Sequence, residues 1–200
     1  MEALKKYDLL YMGMVFSNPD PKFHLKDYEQ QLRMASTMKP VPINSHTGKD
    51  HATFERNKAV IDLAEKIAKE LNVKVVHETH RGRFTYAANI TKNYLDKLPN
   101  LRLTFHTSHW CAVHESYLDD QAEAVQAAMA RTDHIHSRVG YPEGPQVSDP
   151  RAPEWKAALE KHLAWWNKIV AMHQQKASPV TVTAEFGPVS YMPTLPFTNP

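Results

Sequence analysis

The sequence predicts an α/β fold, a (β/α)₈ TIM-barrel type of domain over residues 1–200 that lacks about two N-terminal βα units. Short strand-like runs alternate with longer segments of helical periodicity, as in a parallel sheet with crossover helices. About six such units can be counted, whereas a closed barrel has eight in about 250 residues. Polar residues collect near the carboxyl ends of several strands, where barrels of this type carry their active sites.

The expected strands are compact runs rich in apolar and β-branched residues and bounded by turn-forming residues. They lie at 9–16, 39–48, 73–80, 101–110, 133–140 and 180–188. The expected helices have apolar residues at spacings of three and four. They lie near 25–35, 60–71, 86–97, 118–130 and 155–169. If the strand that ends in Glu185 is the last of the barrel, the missing units precede residue 1.

Composition narrows the class of protein. The chain is 42% hydrophobic and 23% charged with a net charge of +2, which is ordinary for a soluble globular protein. We expect no nucleic-acid partner, because no run of Lys and Arg is present, and no membrane partner, because no apolar run reaches the length of a span. The single cysteine, Cys111, excludes an intrachain disulfide. An N-terminus without the apolar core of a signal peptide favours a cytoplasmic location.

Side-chain alternation along the strands predicts a metal site. Successive side chains of a strand point to opposite faces, so each of four strands has a mostly apolar face and a face that is polar near its carboxyl end. The ligand-type residues on those polar faces are Glu78, His106, His136 and Glu185. A single Glu or His at a strand end is ordinarily exposed or packed. Four such residues, each at the carboxyl end of its strand, predict that they meet at one end of the barrel and bind the same cation.

The expected cofactor is one divalent metal ion. Two imidazoles and two carboxylates form a mixed nitrogen and oxygen site, which suits Mn²⁺, Co²⁺, Fe²⁺ or Zn²⁺ better than Ca²⁺ or Mg²⁺. The two carboxylates together would neutralise the charge of the ion.

The segments VHETHRGR, FHTSHW, DHIHSRVGYPEGPQ and TAEFGP resemble the sugar phosphate isomerase/epimerase family of xylose-isomerase-like barrels. The resemblance covers about residues 40–195. It implies that Glu78, His106, His136 and Glu185 are the metal ligands, although family members most often carry Asp where this chain has His106. It also implies that His109 reaches the substrate and that Arg138 binds a hydroxyl, carboxylate or phosphate.

The resemblance implies a metal-dependent isomerase or epimerase of sugars or sugar phosphates. In that chemistry protons move through a metal-stabilised enediolate, with Glu78 and Glu185 as the catalytic pair. The resemblance implies a small carbohydrate as the binding partner. Assembly into a homo-oligomer is compatible with it. His46 and His80, near the ends of their strands, are further candidates for substrate contact.

Two other functions stay open. The first is a metal-dependent phosphodiesterase of the endonuclease-IV kind, with a three-metal cluster that would need further ligands such as His46, His80, His109 and His134. The second is a non-catalytic barrel relative that binds a metabolite, since about two units are missing from the expected barrel.

Overall fold

The computed structural model describes residues 2–20, 24–188, 190–192 and 197. Six parallel strands form one sheet whose spatial order equals their order along the chain. The strands are β1 (Gly13–Phe16), β2 (Ile43–His46), β3 (Val75–Glu78), β4 (Leu103–Phe105), β5 (Thr132–Ser137) and β6 (Thr181–Ala184). This sheet, with helices in its crossovers, is a curled half-barrel of the TIM type.

Helices connect the strands. They are α1 (Glu2–Lys6), α2 (His24–Ser36), α3 (Phe54–Leu71), α4 (Ala88–Lys97), α5 (Thr107–His114), α6 (Ala122–Ala130) and α7 (Lys156–Gln175). The bounds of α3 have local causes. The Thr53 side chain accepts a hydrogen bond from the backbone N–H of Arg56, and Asn72 ends the helix in the left-handed conformation at φ 51°.

The core lies between the outer face of the sheet and the helices. Leu103, Phe105 and Ile135 are almost fully buried there, in a cluster that includes Trp110 of α5 and Ile169 of α7. A second cluster joins β1, β2 and β3 to α2 and α3. The apolar faces of the strands therefore point outward to the helices, which leaves the polar faces to line the inside of the curl.

The outer face of β6 departs from this pattern. Val182 is 56% exposed, and Phe186, just past the strand, is 52% exposed. Among the residues that the structure describes, no helix follows β6 to cover this face. On the inner face, Thr183 Oγ1 lies 3.7 Å from Met12 Sδ, so the curl brings the two edge strands near each other.

The predicted strand over 101–110 is wrong in its second half. β4 ends at Phe105, and α5 begins at Thr107. The aromatic and Thr residues of this segment favour a strand locally, but the helix lets Trp110 and Cys111 become fully buried in the core. Several helix boundaries also differ: α3 begins at Phe54 instead of 60, α6 begins at Ala122 instead of 118, and α7 ends at Gln175 instead of 169. Helix α1 had not been expected.

Within the described ranges, no helix combines the length and the apolar character that crossing a bilayer requires.

Candidate metal centre

Four strands bring their predicted ligands to one point. Glu78 ends β3, His106 follows β4, His136 lies in β5 and Glu185 follows β6. Glu78 Oε1 lies 2.8 Å from His106 Nδ1 and 3.5 Å from His136 Nδ1. Glu185 Oε2 lies 3.0 Å from His136 Nδ1 and 3.6 Å from His106 Nε2. The two imidazoles therefore lie between the two carboxylates.

The donor atoms fit a divalent cation. His106 Nε2 and His136 Nδ1 are buried, and neither makes a hydrogen bond of good geometry within the described residues, although they lie 3.6 and 3.0 Å from Glu185 Oε2. A buried polar atom without a well-aligned partner costs free energy, so a ligand for both nitrogens would remove a penalty. Glu78, His106 and His136 offer ligand atoms within 4.8 Å of one another. Nitrogen and carboxylate donors in this number suit zinc, manganese, cobalt or iron.

Both carboxylates are ionised at neutral pH. Burial raises the pKa of Glu78, but the imidazoles of His106, His136 and His46 outweigh it and hold that pKa well below its usual range. Burial also raises the pKa of Glu185, but His136, His106 and Arg138 lower it to about 2. Two anionic oxygen donors are therefore available for a cation.

The two histidines of the centre differ in charge. Burial lowers the pKa of His106, which leaves a neutral imidazole. Burial also lowers the pKa of His136, but Glu185 and Glu78 outweigh it and raise that pKa to about 9. Without a cation, a protonated His136 balances part of the carboxylate charge. Metal binding at this nitrogen would release that proton.

A buried amide orients Glu78. Asn44 on β2 donates from Nδ2 to Glu78 Oε2 over 2.6 Å. Thr104 on β4 donates to Asn44 Oδ1 over 2.7 Å. This bond fixes the orientation of the amide, with its oxygen toward Thr104 and its nitrogen toward Glu78. Sequence reasoning missed both residues. Asn44 precedes His46 by two positions and so shares its strand face, which is the signal that would have found it.

The other predicted histidines of the mouth, His46 and His80, lie beside Glu78. His46 Nε2 is 2.8 Å from Glu78 Oε2, and the His46 and His80 rings are 4.5 Å apart. Burial lowers the pKa of His80 to about 4, so that ring is neutral. Both residues line a cavity of about 420 Å³ that Glu78, His136 and Glu185 also line. A volume of this size suits a small metabolite.

His109 and Arg138 belong to the same cluster but do not line that cavity. Arg138 is 1% exposed and donates to Ser108 Oγ and to Glu185 Oε1. It also donates to His109 Nε2 over 2.9 Å. Arg138 thus holds Glu185 and His109 in place. Its predicted substrate contact and that of His109 stay predictions.

The approach of α5 to the segment after β5 depends on a glycine, Gly140. A Cβ at Gly140 would lie 2.7–2.8 Å from Ser108 atoms, including its backbone, so only glycine fits. This close approach sets Ser108 against Arg138. Gln146 and Gly187 exchange two hydrogen bonds, which anchor the segment after Glu185.

A second cavity of about 590 Å³ lies along the loop after β5. It is lined by Ser137, Val139, residues 147–151, the end of β6 and Met192. Of the four predicted ligands, Glu185 alone borders it. The smaller cavity, which reaches three of the four, is therefore the candidate substrate site.

Solved structures show what this architecture is similar to. The probable 3-DHS dehydratase AsbF from Bacillus anthracis, involved in petrobactin synthesis, superposes with a TM-score of 0.61 at 14% identity, over 94% of this chain and 74% of that one. A D-tagatose 3-epimerase-like protein superposes with a TM-score of 0.59 at 12% identity, over 90% of this chain and 72% of that one. The chain therefore shares the TIM-barrel type of fold with these two proteins.

A protein from Sinorhizobium meliloti 1021 superposes with a TM-score of 0.52 at 14% identity, over 95% of this chain and 74% of that one. No protein-family model matches the chain, and no curated protein matches it. The resemblance stated from the sequence is thus confirmed at the level of the fold.

Proposed function

We propose that the chain is a divalent-metal-dependent isomerase or epimerase of sugars or sugar phosphates. The observation that carries the proposal is the convergence of the buried imidazoles of His106 and His136 between the carboxylates of Glu78 and Glu185, with one nitrogen of each ring lacking a hydrogen bond of good geometry. Glu78, His106, His136 and Glu185 would hold the ion. When bound, a divalent ion supplies Lewis-acid polarisation of substrate oxygens.

The two carboxylates differ in their freedom to move a proton. The side chain of Glu78 is 2% exposed, and both of its oxygens are engaged by Asn44, His46 and His106. The side chain of Glu185 is 31% exposed and borders the cavity. Glu185 is therefore the better placed of the two to remove a proton beside a substrate carbonyl, and Arg138 orients it for that step.

A dehydratase is the second candidate. The AsbF neighbour is a probable dehydratase of 3-DHS, and loss of water beside a carbonyl can begin with the same proton removal. His46 and His80 border the cavity and are placed to hydrogen-bond a departing hydroxyl. Substrate trials should therefore include 3-DHS alongside ketoses and ketose phosphates.

Substitution of Glu185 and His136 tests the proposal. We expect Glu185→Gln to lose activity by about 10²–10⁴-fold, since a general base contributes that much. The amide oxygen can still contact the ion, and Glu78, His106 and His136 are unchanged, so we expect this variant to bind metal with lower affinity and to hold it at saturating concentration. We expect His136→Ala to lower the metal content by one ion per chain, as measured by elemental analysis of the purified protein. Glu154→Gln, in the short helical turn before α7, is the matched control and should change neither quantity.

Two results would contradict the proposal. A Glu185→Gln variant with near-normal turnover and metal bound would remove Glu185 from the reaction. An unchanged metal content in His136→Ala would remove the centre itself.

A further inference from the structure

We propose that a groove on the outer side of the sheet binds a small oxyanion, a phosphate or a carboxylate group. This outer groove lies between the carboxyl end of α3 and the residues that precede β3 and β4, and its volume is about 290 Å³. Metabolite pockets usually begin at about 300 Å³, so the ligand is small. None of the four predicted metal ligands lines the outer groove, and the proposal is independent of the proposed function.

His77 places a polar atom on an otherwise apolar face. Val73, Val75 and His77 alternate along the chain, so they point together toward the helices. His77 is 2% exposed and lines the outer groove. Its Nδ1 lies 2.6 Å from Thr47 Oγ1, whereas its Nε2 has no hydrogen-bond partner among the described residues. Since buried polar atoms are ordinarily paired, Nε2 is the atom that a ligand in the groove would meet.

A buried chain of hydroxyl groups makes that nitrogen a donor. Tyr28 Oη lies 2.5 Å from Ser45 Oγ, which lies 2.6 Å from Thr47 Oγ1. Tyr28 is fully buried, and within the described part of the chain its hydroxyl has only these two hydroxyls as partners. Its proton therefore goes to Ser45, the Ser45 proton to Thr47, and the Thr47 proton to His77 Nδ1. Burial lowers the pKa of His77 to about 4, so the neutral ring carries its one proton on Nε2.

Cationic side chains surround this donor. Lys69 of α3, Lys74 before β3 and Arg102 before β4 line the outer groove, and Glu65 is the one carboxylate in its lining. Asp133 accepts from Nε and Nη2 of Arg102, so Nη1 keeps its capacity to bind an anion. An excess of positive charge around an N–H donor favours an oxyanion, because charge-assisted hydrogen bonds to it are strong.

Calorimetric titration with inorganic phosphate and with acetate tests the outer groove. We expect saturable binding of at least one of them at low ionic strength, and weaker binding at high salt, which screens exposed charges. Lys69→Gln should weaken it by about 3–10-fold, since one charge-assisted bond to an exposed side chain is lost. Lys66→Gln is the matched control, because Lys66 is exposed on the same helix but does not line the groove. Its affinity should stay within about twofold of the wild type.

Two further measurements locate the anion. His136→Ala should bind it with the affinity of the wild type, because the metal centre lies at the opposite end of the strands. Two-bond ¹H–¹⁵N NMR of the imidazoles should show His77 protonated on Nε2, and the signal of that nitrogen should shift when the anion is added.

The absence of saturable binding, or equal affinities in wild type and Lys69→Gln, would overturn the outer groove as a site. Binding that disappears in His136→Ala would place the anion at the metal centre and would overturn it as well. So would a His77 ring protonated on Nδ1. The proposed function would stand in each case, because it uses no residue of the groove.

Discussion

A single neutral side chain, Asn44, links three strands of the inner face. Its amide joins Thr104 of β4 to Glu78 of β3 through hydrogen bonds of 2.7 and 2.6 Å. Because Asn44 is 1% exposed, water cannot replace these bonds easily if the amide is lost. Such a residue orients a ligand without touching the ion itself.

Asn44→Ala should therefore weaken metal binding by about 10–100-fold, which is the usual cost of removing a partner of a metal ligand. Isothermal titration of the metal-free protein measures this affinity. Asn57→Ala is the matched control, because Asn57 is an equally buried amide that bonds Lys49 and Tyr94 instead. Equal metal affinities in wild type and Asn44→Ala would show that Glu78 is oriented without the amide.

At the scale of elements, ion pairs tie together the amino ends of three strands. Asp133 of β5 accepts hydrogen bonds of 3.0 and 2.7 Å from Arg102, which precedes β4, and lies 3.3 Å from Lys74, which precedes β3. Burial raises the pKa of Asp133, but Arg102 and Lys74 outweigh it and lower the pKa below its usual value. This end of the sheet lies opposite the metal centre.

The lowered pKa makes the contribution of Asp133 depend on pH. A depressed folded-state pKa means that the stabilisation is present above the unfolded pKa of about 3.9 and is lost as pH falls through the folded value. We expect Asp133→Asn to lower the free energy of unfolding by about 1–3 kcal/mol at pH 7. The difference from wild type should shrink in urea unfolding as the pH falls below about 4.

Asp96→Asn is the control for this prediction, since Asp96 forms an exposed pair with Lys92 and should change stability little at any pH. A difference between wild type and Asp133→Asn that stays constant from pH 7 to acid would contradict the assignment.

At the scale of the whole molecule, the metal centre joins parts of the sheet that are distant in sequence. Its predicted ligands come from β3, β5 and the residues after β4 and β6. The sheet is open, with β1 and β6 as edge strands, and Thr183 and Met12 make a side-chain contact between those edges. An ion bound at the ends of four strands would therefore stabilise the folded, curled sheet as a whole.

Metal removal should lower the thermal stability. Saturation at one hundred times the Kd stabilises the folded state by about 2.7 kcal/mol, which corresponds to roughly 5–10 °C in Tm for a domain of this size. Calorimetry with and without a chelator measures the shift. His136→Ala should lose most of this response, and a wild-type Tm that a chelator does not change would contradict a bound ion.

Much of the fold and of the candidate site follows from local patterns. The alternation along 73–80 and 133–138 places Glu78 and His136 on the inner face, and both lie there. The strand prediction failed at 107–110, where strand-forming residues begin the helix α5 because the core takes up Trp110 and Cys111. It also missed Asn44, because an amide carries no charge or metal preference to single it out.

The positions of the strands along the chain, the faces of their side chains and the group of ligand-type residues were determined by the sequence itself, because the periods of two and about 3.6 residues are local properties of the chain. The tertiary structure alone decided that Arg138 is bound to Glu185 and His109, and that Glu78 faces two separate imidazole groups. These contacts depend on how far the sheet curls and on which strands become neighbours. Such distances arise only when segments far apart in sequence pack together.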